Sequence, residues 1–412
     1  MQKRKILMKQ ESINQNVQKE NNISVVLRAL RADTECTRIR LAKATGLTQP
    51  SITKIIAQLM EWGTVSELES VGNGIGRKAT RLHLNAERYR VAAVRINRTY
   101  INAAVYDMKG RLCDMDSCRT SSEAGAHSSM KQLINMLSSL IARAQVPVLS
   151  IGVAVPGPYN FFAGRISLMS GFPGWNEIDI RAELESAFGL PVFVDQDANC
   201  GALAEMWYSG AEGNSDMLFI CADRGIGAGL ILDSSVYRGR DGFAGEFGHA
   251  SINIFGPRCE CGNRGCLELY GSTVALENIY RQEAFDPLDS DFLVTDISAG
   301  EIMALVREGD TVARRAYSKT VAYLCFGVVG MINTFNPATV VFADKIIEGG
   351  NMFLQVADQT FRQYLMPEIY NGLNIRVCAL EGDPMLLGAS VLAYDQMLRT
   401  PSVYFRTVEP ED

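Results

Sequence analysis

The chain has 412 residues, 47% apolar and 21% charged, an ordinary balance for a globular protein but too long for one core, so two or three domains are expected. Its net charge of −6 is uneven: residues 1–82 hold 14 Lys and Arg against 7 Asp and Glu, and the remainder hold 26 against 39. A basic head on an acidic body suits contact with a polyanion at one end. The longest apolar run, Val321 to Ile332, falls short of the ~20 residues a membrane span needs, and no apolar stretch follows the basic N-terminus as in a secretory signal. The ten cysteines are scattered, which fits a reducing cytoplasm better than a disulfide framework.

In the head, Ile13 to Leu30 has helical apolar spacing. Thr37 is placed to cap a second helix, Arg38 to Ala44, which Thr45-Gly46 ends. Thr48 caps a third, with Pro50 tolerated in its first turn. Ile52, Ile55, Ile56 and Leu59 form its apolar stripe, and Gln49, Ser51, Thr53, Lys54 and Gln58 face away. Those side chains are of the types that hydrogen-bond base edges and phosphates. Two strands, Val65–Glu69 and Ala79–Leu84, flank a Gly-rich loop that ends in Arg77 and Lys78. Helix, helix, short turn, helix and a basic hairpin spell a winged helix-turn-helix, with Arg77 and Lys78 on the wing. A small helical bundle that docks on a protein is the alternative.

From about Arg88 the texture changes. Strands are expected at Val91–Ile96, Ile101–Asp107, Leu149–Val155, Pro191–Val194, Met217–Ala222, Leu230–Leu232, Thr339–Phe342 and Ile375–Ala379. Helices are expected at Met130–Ala144, Ile178–Phe188, Cys200–Trp207 and Gly388–Leu398, with helices dominating up to about Asn333. The alternation argues for α/β lobes. The tail from Pro401 is expected to lack fixed structure.

One stretch carries explicit chemistry. His249 is followed by Cys259, Cys261 and Cys266, four ligand types within eighteen residues, separated by the turn formers Gly262, Asn263 and Gly265. Three thiolates and an imidazole are a zinc set, so a structural Zn2+ is expected. Unrelated buried cysteines are the plainer alternative. Glu246 and Glu268 flank the loop, which suggests a polar ligand nearby.

The run Pro156-Gly157-Pro158, Phe172-Pro173-Gly174-Trp175, Asp195-Gln196-Asp197-Ala198-Asn199, Gly225-Ile226-Gly227-Ala228-Gly229, Gly242 to His249 and Cys259 to Glu268 resembles the ROK family of repressors, open reading frames and sugar kinases. The resemblance covers about residues 88–398. It implies a two-lobed, actin-like sugar-kinase fold behind the winged helix-turn-helix. The partition that follows is 1–86 for the head, 87–195 with 386–412 for a smaller lobe, and 196–385 for a larger lobe that carries the zinc loop. It also implies sugar contacts from Asp197, Glu246, His249 and Glu268, and from Gln196, where the family usually has Asn. Carboxylates suit this work because each accepts two hydroxyl hydrogen bonds.

Family kinases carry Asp-x-Gly-Gly-Thr at the first phosphate turn, where this chain has Arg95-Ile96-Asn97-Arg98-Thr99. Asp223-Arg224-Gly225 stands in place of Gly-Thr-Gly, and Ala343-Asp344 in place of Gly-Gly. Three losses on the nucleotide side and a retained sugar side predict a non-enzymatic sensor. The expected protein is a cytoplasmic, homodimeric repressor of sugar-metabolism genes that binds operator DNA and a sugar or sugar derivative. A repressor switched by a sugar-transport protein and a bifunctional sugar kinase are the alternatives.

Overall fold

The computed structural model describes residues 15–32, 36–68, 80–120, 125–167, 174–210, 215–285 and 297–405. The head comprises α1 (Gln15–Ala32), α2 (Arg38–Thr45), α3 (Gln49–Glu61) and the antiparallel pair β1 (Val65–Leu68) and β2 (Arg81–Leu84). Its local signals read as expected. Thr37 accepts from the Arg40 N–H, and Gly46 ends α2 at φ 71°. Thr48 accepts from the Ser51 N–H at the start of α3. Ile52, Ile55, Ile56 and Leu59 are buried against Ile23, Val26 and Leu27 of α1. Ile13 and the loop with Arg77 and Lys78 lie outside the described residues.

The first lobe is a five-stranded sheet in the order β5-β4-β3-β6-β9. β3 (Arg90–Ile96), β4 (Tyr100–Asp107) and β5 (Leu112–Arg119) form an antiparallel meander. β6 (Val148–Val155) and β9 (Val192–Gln196) add in parallel, and β6 is buried along its whole length. α4 (Gly125–Arg143) starts before Met130, because its first turn holds exposed His127 and Ser128, which leave no apolar period to read. After β6 come the short hairpin strands β7 (Tyr159–Asn160) and β8 (Arg165–Ile166) and the Asp179-capped α5 (Ile180–Phe188). α6 (Asp197–Tyr208) begins directly at the end of β9.

The second lobe has the order β12-β11-β10-β13-β14. It is built from β10 (Met217–Ala222), β11 (Ile226–Leu232), β12 (Ser235–Val236), β13 (Thr339–Ala343) and β14 (Asn374–Val377). Its helices are α7 (Glu268–Gly271), α8 (Thr273–Ala284), α9 (Ala299–Glu308), the long α10 (Thr311–Phe335), α11 (Asn351–Tyr364) and α12 (Pro367–Gly372). Gly227 and Gly229 lie within β11, which starts four residues before the expected strand Leu230–Leu232. A Cβ at Gly229 would stand 2.2 Å from the Ala198 carbonyl oxygen, so the glycine is there because α6 packs backbone-close on the strand.

The chain then returns to the first lobe through α13 (Pro384–Arg399), which packs on β3, β6 and α6. It ends the described residues in α14 (Pro401–Phe405). The expectation of an unstructured tail from Pro401 fails here. Phe405 is 1% exposed and packs against Trp62 and Tyr89 at ring-centroid distances of 6.4 and 5.5 Å. Five residues carry no helical period of their own, and tertiary burial supplies what propensity cannot.

Candidate ligand cleft and metal centre

Between β12 and α7 the chain makes a loop that gathers His249, Cys259, Cys261 and Cys266. Their ligand atoms all lie within 4.8 Å of one another. His249 Nδ1 is 3.8 Å from Cys259 Sγ, and Cys261 Sγ is 3.6 Å from Cys266 Sγ. A tetrahedron with zinc–sulfur arms of about 2.3 Å has edges of about 3.8 Å, so the donor set and its spacing fit Zn2+. Burial raises the Cys259 and Cys266 thiols above their ordinary range, a cost that a divalent cation between them would reverse. The loop is folded by local bonds: Cys259 N–H to Asn263 O at 2.9 Å, and Asn263 Nδ2 to His249 O at 3.1 Å. Gly265 has φ 62°, and a Cβ on it would stand 1.8 Å from Asn253 O, so only glycine closes this turn.

His249 also lines a cleft of about 570 Å³ at the meeting of the two lobes. Gln196, Asp197, Glu246 and Glu268 line it too, so the fold brings together all five residues expected to hold a sugar. Gln196 Nε2 donates to Glu246 Oε1 at 2.9 Å, and Glu268 Oε2 accepts from the Ile226 N–H at 3.1 Å. Gln196 Oε1 is buried with no hydrogen-bond partner among the described residues, an acceptor left open toward a ligand hydroxyl. Burial, then the charges of Asp197 and Glu268, pushes Glu246 up to about 8. Burial raises Asp197 to about 6. Hydroxyl donors from a ligand would stabilise the charged forms of these mutually repelling carboxylates. Gly157 brings the turn after β6 against the pair: a Cβ there would stand 2.3 Å from Gln196 Nε2 and 2.5 Å from Glu246 Oε1.

The opposite wall is closed by Arg95 of β3. Its guanidinium reaches Asp344 Oδ2 at 2.8 Å and both oxygens of Asp383 at 3.1 Å, with the Arg95 side chain 3% exposed. Asp344 holds φ 72° and ψ −165°, a backbone conformation that ordinarily demands glycine. The chain therefore keeps a glycine-type turn after β13 but places a carboxylate on it, and that carboxylate takes Arg95. The sequence signal for the obstruction was Arg95 itself; its pairing across 249 and 288 positions was not readable from the chain order.

Two helices run from this cleft to the head. α6 starts at Asp197 in the cleft, and α13 starts beside Asp383, which caps it. They pack closely, since a Cβ on Gly388 of α13 would stand 1.8 Å from Cys200 O of α6. At their far ends lies α1: Arg28 Nη2 pairs with Asp395 Oδ1 at 2.7 Å, and the Arg31 guanidinium lies 4.1 Å from the Trp207 ring and 4.5 Å from the Tyr208 ring. Ser402 of α14 donates to Glu20 of α1 at 2.5 Å. In the head, Gln49, Thr53 and Lys54 are exposed on α3, while Ser51 and Gln58 are half-buried and Ser51 Oγ lies 2.9 Å from Thr48 Oγ1. Arg77 and Lys78 lie outside the described residues.

Comparison with known proteins covers nearly the whole chain. A xylose repressor from Caldicellulosiruptor bescii is 26% identical over 395 residues, covering 94% of this chain and 99% of that protein. The crystal structure of a ROK family transcriptional regulator, a homologue of the Escherichia coli MLC protein, matches with TM-score 0.79 and 27% identity over 93% of this chain and 97% of its own. A ROK family glucokinase from Streptomyces griseus, solved with glucose and AMPPNP, matches with TM-score 0.66 and 26% identity, covering 74% of this chain and 99% of its own. The kinase thus spans less of this chain than the regulator does. The ROK family pattern itself matches residues 91–396, and the chain belongs to the ROK family.

Proposed function

We propose that this protein is a DNA-binding transcriptional repressor whose cleft senses a sugar or sugar derivative and which transfers no phosphoryl group. The observation that carries the reading is Arg95. A phosphoryl-transfer site needs open space and glycine backbone around the nucleotide phosphates. Here a buried guanidinium clamps Asp344 and Asp383 across that wall, while the facing wall keeps Gln196, Asp197, Glu246, His249 and Glu268. Asp197 then binds a hydroxyl instead of acting as a base. The similarity to a xylose repressor and to a ROK transcriptional regulator over almost the full length supports the same reading.

The head is a winged helix-turn-helix in this proposal. Gln49, Ser51, Thr53, Lys54 and Gln58 read the major groove, and Arg77 and Lys78 serve the wing. A homodimer would set two α3 helices on a near-palindromic operator. Zn2+ at His249 and the three cysteines is structural; it cross-links the loop that aims Glu246 and Glu268, with His249 Nδ1 facing the thiolates and Nε2 left for the ligand side. The path to the head in this proposal runs through α6 and α13, because α6 begins at Asp197 in the cleft, α13 is capped by Asp383, the partner of cleft residue Arg95, and both reach α1.

Fluorescence anisotropy of labelled DNA from upstream of the protein's own gene tests this, with xylose, glucose, N-acetylglucosamine and their phosphates added in turn. Tight binding that one of these weakens several-fold is expected. Tight binding indifferent to every sugar would refute the sensor part and favour control by a protein. Phe255, 89% exposed beside the metal loop, is the surface feature that such a partner would cover.

A further inference from the structure

We propose that Arg238 is a positioning residue of the ligand cleft: acting through Asp195, it holds Gln196 and Asp197 of the first lobe in register with Glu246 of the second. This rests on the sugar-sensor reading of the cleft and adds what keeps its ligand groups in place. Gln196 and Glu246 come from different lobes, yet their side chains meet at 2.9 Å. Such a contact needs one lobe's segment fixed against the other's, since a displacement of about 1 Å is enough to spoil a hydrogen bond. Neither Arg238 nor Asp195 is among the described residues that line the cleft, so both stand behind its wall.

Arg238 follows β12 in the second lobe, and its side chain crosses to β9 in the first. Its Nε and Nη2 both donate to Asp195 Oδ2, at 2.9 and 2.6 Å, and the Asp195 side chain is 1% exposed. Because the fork closes on one oxygen, the other is left for the ligand segment: Asp195 Oδ1 accepts from the Gln196 N–H at 2.8 Å and from Asn199 Nδ2 at 3.0 Å. Asp195 thereby ties the end of β9 to the first turn of α6, the stretch that presents Gln196 and Asp197. The main chain of Arg238 serves the second lobe. Its carbonyl accepts from the Ala244 N–H at 3.1 Å, which closes the loop leading to Glu246, and the Gly245 carbonyl accepts from the Ala228 N–H of β11 at 3.0 Å. That loop lies directly on the hairpin of β7 and β8: Gly242 holds φ 88°, and a Cβ on it would stand 2.6 Å from Phe161 N. The Arg238 guanidinium covers the same hairpin, 4.5 Å from the Phe161 ring centroid. One residue thus ties both halves of the cleft. A buried ion pair often adds little net stability, and a guanidinium fork fixes direction where an ammonium supplies charge alone, so position is what this pair contributes.

The test is isothermal titration of the full-length protein with xylose, glucose, mannose, galactose and N-acetylglucosamine, beside a thermal melt and operator binding without sugar. Two variants are compared with the parent. Arg238→Lys keeps a charge beside Asp195 but loses the fork, and Arg238→Met combined with Asp195→Asn leaves no charge unpaired. Both should bind operator like the parent and melt within about 5 °C of it. Each should bind the parent's best sugar about tenfold more weakly, and the spread between the tightest and the weakest of the five should narrow by about threefold or more, because displaced acceptors no longer tell hydroxyl directions apart. A residue that only stabilised the fold would leave that spread intact. Should the double variant fail to fold, Arg238→Lys alone decides. Folded variants with the parent's affinity and spread, or affinity lost equally for every sugar, would overturn the proposal and leave the sensor reading standing. If the parent bound none of these sugars while operator binding persisted, the sensor reading itself would fall, and this proposal with it.

Discussion

Replacing Phe405 with alanine tests whether the head is clamped by the C-terminal helix. The ring is 1% exposed, packs on Trp62 of the head and Tyr89 at the head–lobe junction, and belongs to the same apolar cluster as Leu27, Leu59 and Met397. Full truncation of a buried Phe costs about 3–5 kcal/mol, part of it lost aromatic pairing. α14 has only five residues and can shift inward, so the lower figure, about 3 kcal/mol, is expected. Spread over a head-sized cooperative unit, this lowers the melting midpoint by roughly 10 °C or more. Tryptophan fluorescence is a direct reporter, because Trp62 touches the ring and Trp207 lies under α1. Val403, 61% exposed on the same helix, is the control; Val403→Ala should move the midpoint by no more than about 1 °C. If Phe405→Ala melted like the parent and bound operator equally well, the docking of the head through α14 would be wrong.

Cys261→Ser should release zinc and lower thermal stability, with metal content by atomic absorption and a melt as joint readouts; unchanged metal content would remove the zinc assignment. Arg95→Met leaves Asp344 and Asp383 facing each other unpaired, so a loss of about 3–5 kcal/mol in urea unfolding is expected; a neutral result would show that the clamp holds nothing. Arg95→Met should still show no hexose phosphorylation with ATP. Asp197 gives a pH signature. Burial raises it to about 6, against Arg95 and Arg98 that lower it, so it is ionised at pH 7.5 and takes a proton as pH falls through about 6. Sugar affinity should show one step as pH falls through about 6, distinct from the step that Glu246, pushed up to about 8, gives at higher pH. In the empty protein the same raised value makes the folded state hold a proton that the unfolded state releases near 4, so this group's stability contribution declines as pH rises from about 4 to 6. Asp197→Asn should remove the step near pH 6 and leave the one near 8; a step near 6 that persisted would place that titration elsewhere.

The amino-acid order by itself determined what is local. Helix caps at Thr37 and Thr48, the apolar stripe of α3, the buried run of β6 and the cluster of His249 with Cys259, Cys261 and Cys266 are each made within one short stretch of chain, so spacing and side-chain chemistry suffice. The five cleft-lining residues Gln196, Asp197, Glu246, His249 and Glu268 were also legible, through the family motifs in which each sits. The tertiary structure alone decided the pairings between distant segments. Arg95 meets Asp344 and Asp383 only in the folded chain, position 229 of β11 needs glycine only because α6 approaches it, and α14 is held by the socket of Trp62 and Tyr89. No periodicity encodes these contacts. They arise from burial and charge neutralisation between surfaces far apart in the chain, which exist only once the fold has brought them together.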